Sequence, residues 1–252
     1  MRRVITLSTL CILPTACHVI DGSGVSATES RQPGDFDSVS NETLVDVAAT
    51  YAAEQSVAVT CDDNLLEYIR AEVHGGELRI RTEAGVNLMP NTDCRVDITT
   101  PTLRELTASG SGDTWANGAF PDLVAMSGSG SGDVEASGGS FPLEEVSTSG
   151  SGDIYVSQIH SACVELDTSG SGTIFGAGAV DCALLESSGS GGIDALELTA
   201  REAEIEVSGS GDVRLTVTGH AEVDISGSGD VLLAGGATVE SDSSGSGELI
   251  IL

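Results

Sequence analysis

The tetrapeptide Ser-Gly-Ser-Gly begins at Ser109, Ser129, Ser149, Ser169, Ser188, Ser208, Ser226 and Ser244. The steps between copies are 20, 20, 20, 19, 20, 18 and 18 residues. So narrow a period marks a repeat architecture and outweighs local propensity. The residue after each copy is Asp113, Asp133, Asp153, Thr173, Gly192, Asp212, Asp230 and Glu248 in turn. An alternating run follows. Its first position holds Thr114, Val134, Ile154, Ile174, Ile193, Val213, Val231 and Leu249. Its third holds Ala116, Ala136, Val156, Gly176, Ala195, Leu215, Leu233 and Ile251. Apolar columns of period two predict strands with one face buried. A second alternating run precedes the next tetrapeptide, clearest in Ala203, Ile205 and Val207.

A repeat this short cannot bury its own apolar side, whereas a stack of repeats buries a continuous column. Two strands and a Gly-Ser corner in 18–20 residues fit one rung of a parallel β-helix. A WD-type propeller blade needs about 40–45 residues. The expected fold is all-β, a parallel β-helix or solenoid with rungs ~4.8 Å apart. Three expectations attach to the corners. Their glycines take positive φ, their serine hydroxyls bond along the axis, and the following Asp bonds backbone N–H groups of the turn.

Composition excludes several functions. The chain holds 39 acidic residues against ten bases, all of them Arg, for a net charge of −29. A nucleic-acid binder needs a basic stripe, so nucleic acid is excluded as a partner. An anionic membrane face is disfavoured for the same reason, leaving contact with a membrane only through a lipid anchor. The absence of Lys removes P-loop and Schiff-base chemistry. Aromatics are only 3% of the chain, so its core is aliphatic.

The N-terminus reads as an address. Arg2 and Arg3 precede an apolar run from Val4 to Leu13 that is too short to span a bilayer. Residues 1–16 are expected to be a secretory signal peptide. The segment Leu13-Pro14-Thr15-Ala16-Cys17 resembles a bacterial lipoprotein signal, with Cys17 as the lipid site. Pro14 stands where such signals usually carry Leu, and ordinary cleavage to a secreted product is the alternative. Residues 17–35, polar and rich in Gly and Ser, are expected to be a flexible tether. Residues 36–108 read as an irregular β opening part and 109–252 as the regular repeats. Within the opening part, Asn64–Val73 fits helix or strand equally.

Outside the signal and Cys17, four cysteines remain: Cys61, Cys94, Cys163 and Cys182. Their even number in an exported chain predicts two disulfides. Cys163 and Cys182 each lie six residues before a corner, so they share a slot in adjacent rungs. In-register neighbours ~4.8 Å apart satisfy the Cα spacing of a disulfide. Cys163–Cys182 is therefore expected, leaving Cys61–Cys94.

Asn64 to Ile69 (NLLEYI), Gly76 to Ile80 (GELRI), Ile98 to Leu103 (ITTPTL) and the AEIEVSGSGDV stretch at Ala203–Val213 resemble the putative auto-transporter adhesin head GIN domain family. The resemblance covers about Phe36 to Leu252. It implies a right-handed parallel β-helix, often on exported bacterial envelope proteins, and carries no catalytic residues. Thr173 and Gly192 depart from it, lacking the Asp that follows the corner.

Two candidate sites follow. Asp113, Asp133, Asp153, Asp212 and Asp230 form a column of like charge that a calcium ion could relieve. The alternative is that they cap turns, and no metal is called for. The middle strand position holds Trp115, Glu135, Tyr155 and Phe175, a stripe that could stack on sugar rings. Its alternative is a face covered by the opening segment. Catalysis has no constellation: the four His are scattered, and the serines sit in corners rather than beside a His-Asp pair.

The resulting expectation is a non-enzymatic cell-envelope protein without cofactor. It would be a lipid-anchored rod presenting a surface to a glycan or protein ligand. The expected location is the outer membrane as a lipoprotein, otherwise the periplasm or the medium. A secreted carbohydrate-active enzyme and a structural envelope module without ligand are the alternatives. The apolar end Leu249 to Leu252 further predicts end-to-end homodimers.

Overall fold

The computed structural model describes residues 18–252. The signal segment and Cys17 lie outside the described residues. Among the described residues, twenty strands form one continuous sheet that folds around corners into a parallel β-solenoid, and two more form a separate pair. The first face of the solenoid runs from Arg95–Thr100 and Asp46–Tyr51 to Thr114–Asn117 and continues through Val134–Ser137 and Ile154–Ile159. It ends at Val231–Ala234 and Leu249–Ile251. The second face runs from Glu77–Thr82 and Ser38–Asn41 to Glu105–Ala108, then through Ala125–Gly128, Glu145–Thr148 and Cys163–Thr168 to Thr238–Ser243. Between Ile174 and Ile225 three long strands each serve both faces. All rung-to-rung pairings from Glu105 onward are parallel and join equivalent residues of successive repeats.

The two apolar columns point inward as the alternation requires. Val134, Ile154, Ile174, Ile193, Val213 and Val231 are buried, and so are Ala136, Val156, Ala195, Leu215 and Leu233. The columns open only at the last rung, where nothing covers Ile251. A short third side closes the cross-section. It brings Phe141 against Ile159, Ile159 against Gly178 and Gly178 against Leu198.

The corners work differently from expectation. None of their glycines has positive φ. A Cβ on Gly130, Gly150 or Gly170 would instead collide with a backbone carbonyl of the preceding corner. Glycine is needed there because rungs approach too closely for any side chain, not because of its conformational range. The serine hydroxyls form almost no ladder, the exception being Ser246 on Ser228 at 3.0 Å. Backbone groups carry the stacking: Ser131 N–H donates to Gly110 O at 3.0 Å and Ser151 N–H to Gly130 O at 2.9 Å.

Each post-corner Asp accepts a hydrogen bond from the next rung. Asp133 N–H donates to Asp113 Oδ1 at 2.8 Å, and Asp153 N–H to Asp133 Oδ1 at 2.8 Å. Thr173 N–H donates to Asp153 Oδ1 at 2.7 Å, after which the ladder stops until Asp212 receives Asp230 N–H at 2.9 Å. One oxygen of each such carboxylate is thus engaged by backbone, which favours the capping reading over calcium. Replacing Asp133 by Ala is expected to cost about 1–2 kcal/mol, and by Asn less than half that, since an amide oxygen still accepts. Thermal denaturation with and without calcium checks both readings. A calcium-dependent rise in Tm lost with Asp133→Asn would restore the metal.

The same ladder reveals a rung that carries no glycine. Asn41 to Asp46 stacks under the first Ser-Gly-Ser-Gly corner, with Ser109 N–H on Asn41 O at 2.8 Å and Asp113 N–H on Asp46 Oδ1 at 3.0 Å. Buried Asn41 substitutes for the tight corner, its amide donating to Val45 O at 2.9 Å. On its opening side this rung still pairs in parallel, Ser38–Asn41 with Glu77–Thr82 and Asp46–Tyr51 with Arg95–Thr100, and only beyond those strands does the pairing turn antiparallel. Ser56–Asp62 pairs with Arg95–Thr100, and Ile69–His74 with Glu77–Thr82. Asn64–Val73 resolves into a 3-10 turn at Leu66–Tyr68 followed by strand.

The expected tether at residues 17–35 is corrected for most of its length. His18–Asp21 pairs in parallel with Val86–Met89, and Ser26–Arg31 lies antiparallel on the free edge of Ser56–Asp62. Backbone hydrogen bonds hold these strands, with little apolar burial, so composition did not signal them. Glu29 and Arg31 on the outermost strand pair with each other at 2.6 Å. Charges on an edge strand discourage further strand addition.

Both expected disulfides are present. Cys163 and Cys182 are register partners with Cα atoms 4.5 Å apart. Cys61 and Cys94 bridge the antiparallel cap, with Cα atoms 4.2 Å apart.

Candidate functional site

The middle strand position forms one outward column on the first face. Register places Trp115 beside Glu135, Glu135 beside Tyr155, Tyr155 beside Phe175 and Phe175 beside Asp194. The opening segment extends the edge of this sheet and does not cover it. Around Tyr155 and Phe175 lies a groove of about 520 Å³, lined also by Glu135, Ala177, Asp194, Leu196 and Glu197. Trp115, in the same column, stands outside the groove.

The groove arises where the repeat loses its regularity. Register shifts occur between Val156 and Ile159, between Phe175 and Ala177, and between Ala195 and Thr199. The last of these pushes Leu196 and Glu197 outward as a wall. Sequence reasoning found Glu135, Tyr155 and Phe175 but missed Asp194, Leu196 and Glu197. The 19-residue step between Ser169 and Ser188 was the available signal, since a changed period inserts or removes a residue somewhere on the rung.

The Tyr155 and Phe175 rings stack on one another, with centroids 4.8 Å apart and planes 3° from parallel. Tyr155 O–H donates to Asp153 Oδ2 at 3.2 Å. Burial pushes the Tyr155 hydroxyl pKa up, and the charge and hydrogen bond of Asp153 push it the same way. The phenol therefore stays neutral, a donor in a negative field. No basic residue lines the groove. Arg214 stands just beyond it, 3.4 Å from Asp194 Oδ2.

Among the described residues, Cys61, Asp62 and Cys94 are the one grouping with the spacing of metal ligands. Its two sulfurs are bonded to each other, so it offers no thiolates. Asp62 is fully buried and accepts from Gly24 N–H at 2.6 Å, Asn91 N–H at 2.9 Å and Thr92 N–H at 3.1 Å. This carboxylate is a structural clasp. No described helix is long and apolar enough to cross a membrane.

The family described as "Putative auto-transporter adhesin, head GIN domain" matches residues 35–237. The chain belongs to that family. Among solved structures, a "putative lipid binding protein" from Parabacteroides distasonis aligns at 27% identity and a TM-score of 0.85. That alignment covers 93% of this chain and 99% of the other. A "putative adhesin" from Parabacteroides merdae aligns at 21% identity with the same coverage and a TM-score of 0.85, a likeness of fold. A "putative adhesin" from Bacteroides fragilis aligns at 19% identity and a TM-score of 0.71, covering 92% of this chain and 100% of that one, again as fold alone. No curated protein matches. Family and disulfides together support an exported protein with a non-enzymatic binding or adhesion role.

Proposed function

We propose that this GIN-domain protein is a cell-envelope adhesive rod, held by lipid on Cys17, that binds its surface ligand through the groove on its first face. One observation carries the reading. The groove interrupts an otherwise periodic surface at the place where Tyr155 and Phe175 form an outward aromatic pair. Side chains that only complete a rung need no such break. Rigidity suits the role, because stacked rungs hold a site at a fixed distance from an anchor and lose little entropy on binding.

The test uses the full chain produced in a bacterium that processes lipoproteins. Intact mass reads the lipid on Cys17, and attachment of those cells to a surface array of glycans and proteins reads adhesion. The double variant Tyr155→Ala, Phe175→Ala is expected to lose adhesion at least about 10-fold, in line with loss of a central aromatic anchor. Its far-UV circular dichroism should remain that of the parent, because neither ring belongs to the inner columns. Unchanged adhesion would move the site off the groove, and a mass without lipid would remove the anchor.

A further inference from the structure

We infer that the groove takes an arginine-bearing peptide segment, whose guanidinium lies against the unshared face of Phe175 between Asp194 and Glu197. The inference builds on the reading of the groove as the binding surface and adds its ligand class.

Ring geometry comes first. Tyr155 and Phe175 are register neighbours whose planes are nearly parallel at a centroid separation of 4.8 Å. Each ring spends one face on the other, so the pair offers no broad outward platform for the flat side of a sugar. The unshared face of Phe175 is turned toward the next rung, where its register partner is Asp194. A group entering there must be thin enough to slide beside a ring and must answer a carboxylate.

Charge narrows the choice. Glu135, Asp194 and Glu197 line the groove without a base among them, on a chain of net charge −29. Acidic glycans, phosphates and acidic peptides meet like charge there. A guanidinium satisfies both constraints, being planar, able to stack on an aromatic face and forked to pair with carboxylates. A lysine ammonium answers the charge but has no plane to stack. Arg214 already meets Asp194 at 3.4 Å from an adjoining hollow that Phe175 and Asp194 also line, so an incoming guanidinium shares Asp194 with it and finds Glu197 on the groove side.

The test is a titration of the full chain with a fluorescent peptide of three Gly-Arg units. Matching Gly-Lys and Gly-Glu peptides and a glucosamine trimer serve as comparison probes. Any acidic rod attracts cations, so single-charge controls are placed on the second face as Glu222→Gln and Asp224→Asn, both exposed there. The Gly-Arg peptide is expected to bind about 5-fold or more tightly than Gly-Lys, and Gly-Glu and the trimer not at all. Glu197→Gln and Phe175→Leu should each weaken Gly-Arg binding about 10-fold, and the controls less than about 2-fold. Equal loss in controls and groove variants, parity of Arg with Lys, or preference for the amino sugar each overturns the ligand class. If Tyr155→Ala, Phe175→Ala abolishes adhesion while Gly-Arg fails to bind, the class falls and the groove stands. If adhesion survives that double variant, the groove itself falls as the adhesive site.

Discussion

Replacing Gly150 by alanine is expected to destabilise the rod by at least about 3 kcal/mol, while Ser149→Ala changes stability by less than about 0.5 kcal/mol. The two residues are neighbours in one corner, and nothing in their sequence context ranks glycine above serine so steeply. The difference comes from the neighbouring rung. A Cβ on Gly150 would run into the Gly130 carbonyl and the Ser129 backbone. Those atoms cannot yield, because Ser151 N–H holds Gly130 O at 2.9 Å and Ser149 N–H holds Gly128 O at 2.9 Å. Relief requires rungs to separate locally, which breaks those bonds and opens the apolar columns on either side of the corner. Ser149, by contrast, is exposed. Chemical denaturation of the two variants decides the matter. A Gly150→Ala protein within about 1 kcal/mol of the parent would mean that rung spacing does not select glycine. A separate early transition, rather than a uniform shift, is the pattern expected of a stack whose neighbours couple only in sequence.

That corner also shows how far the sequence could be read. Identical residues at a fixed period announced the corners, the inward columns and the register, and register in turn paired Cys163 with Cys182. The third side was hidden because its spacing drifts. Phe141 lies 12 residues past Ser129, Ile159 10 past Ser149, Gly178 9 past Ser169 and Leu198 10 past Ser188, yet they stack. The rung at Asn41 was hidden for the opposite reason. Its parallel neighbours on the opening side, Glu77–Thr82 and Arg95–Thr100, are joined by the long excursion of residues 83–94 rather than by a tight corner, so its own corner needs no glycine and a polar network around Asn41 closes it. In the groove, Tyr155 and Phe175 stood at a readable strand position. The wall of Leu196 and Glu197 did not, because a bulge displaces side chains by a register shift that alternation cannot signal.

Asp62→Asn is expected to lower Tm on the order of 10 °C, through loss of the clasp that ties the first strands to the cap. Oδ1 receives Gly24 N–H, and Oδ2 receives both Asn91 N–H and Thr92 N–H. An Asn side chain must present an NH₂ group to one of these sets, donor against donor. Burial by itself raises the Asp62 carboxyl pKa, but the hydrogen bonds from Gly24, Thr92 and Asn91 outweigh it and hold the group below its ordinary range. The sign of the pH dependence follows. A carboxyl held low in the folded state binds protons less readily than in the unfolded chain, whose value is about 3.9. Its contribution is complete above that value and is lost as pH falls toward the depressed folded value. The acidic second face works in the other direction. Burial and the charges of Glu206, Asp167, Glu165 and Glu204 raise the Glu186 pKa, so partial acidification relieves repulsion there and stabilises the fold. Total stability is therefore a poor readout, and the difference between parent and Asp62→Asn isolates the clasp. That difference should stay level above about pH 5 and shrink below about pH 4. A difference that grew on acidification would mean that Asp62 folds protonated and that its three N–H partners are held by something else.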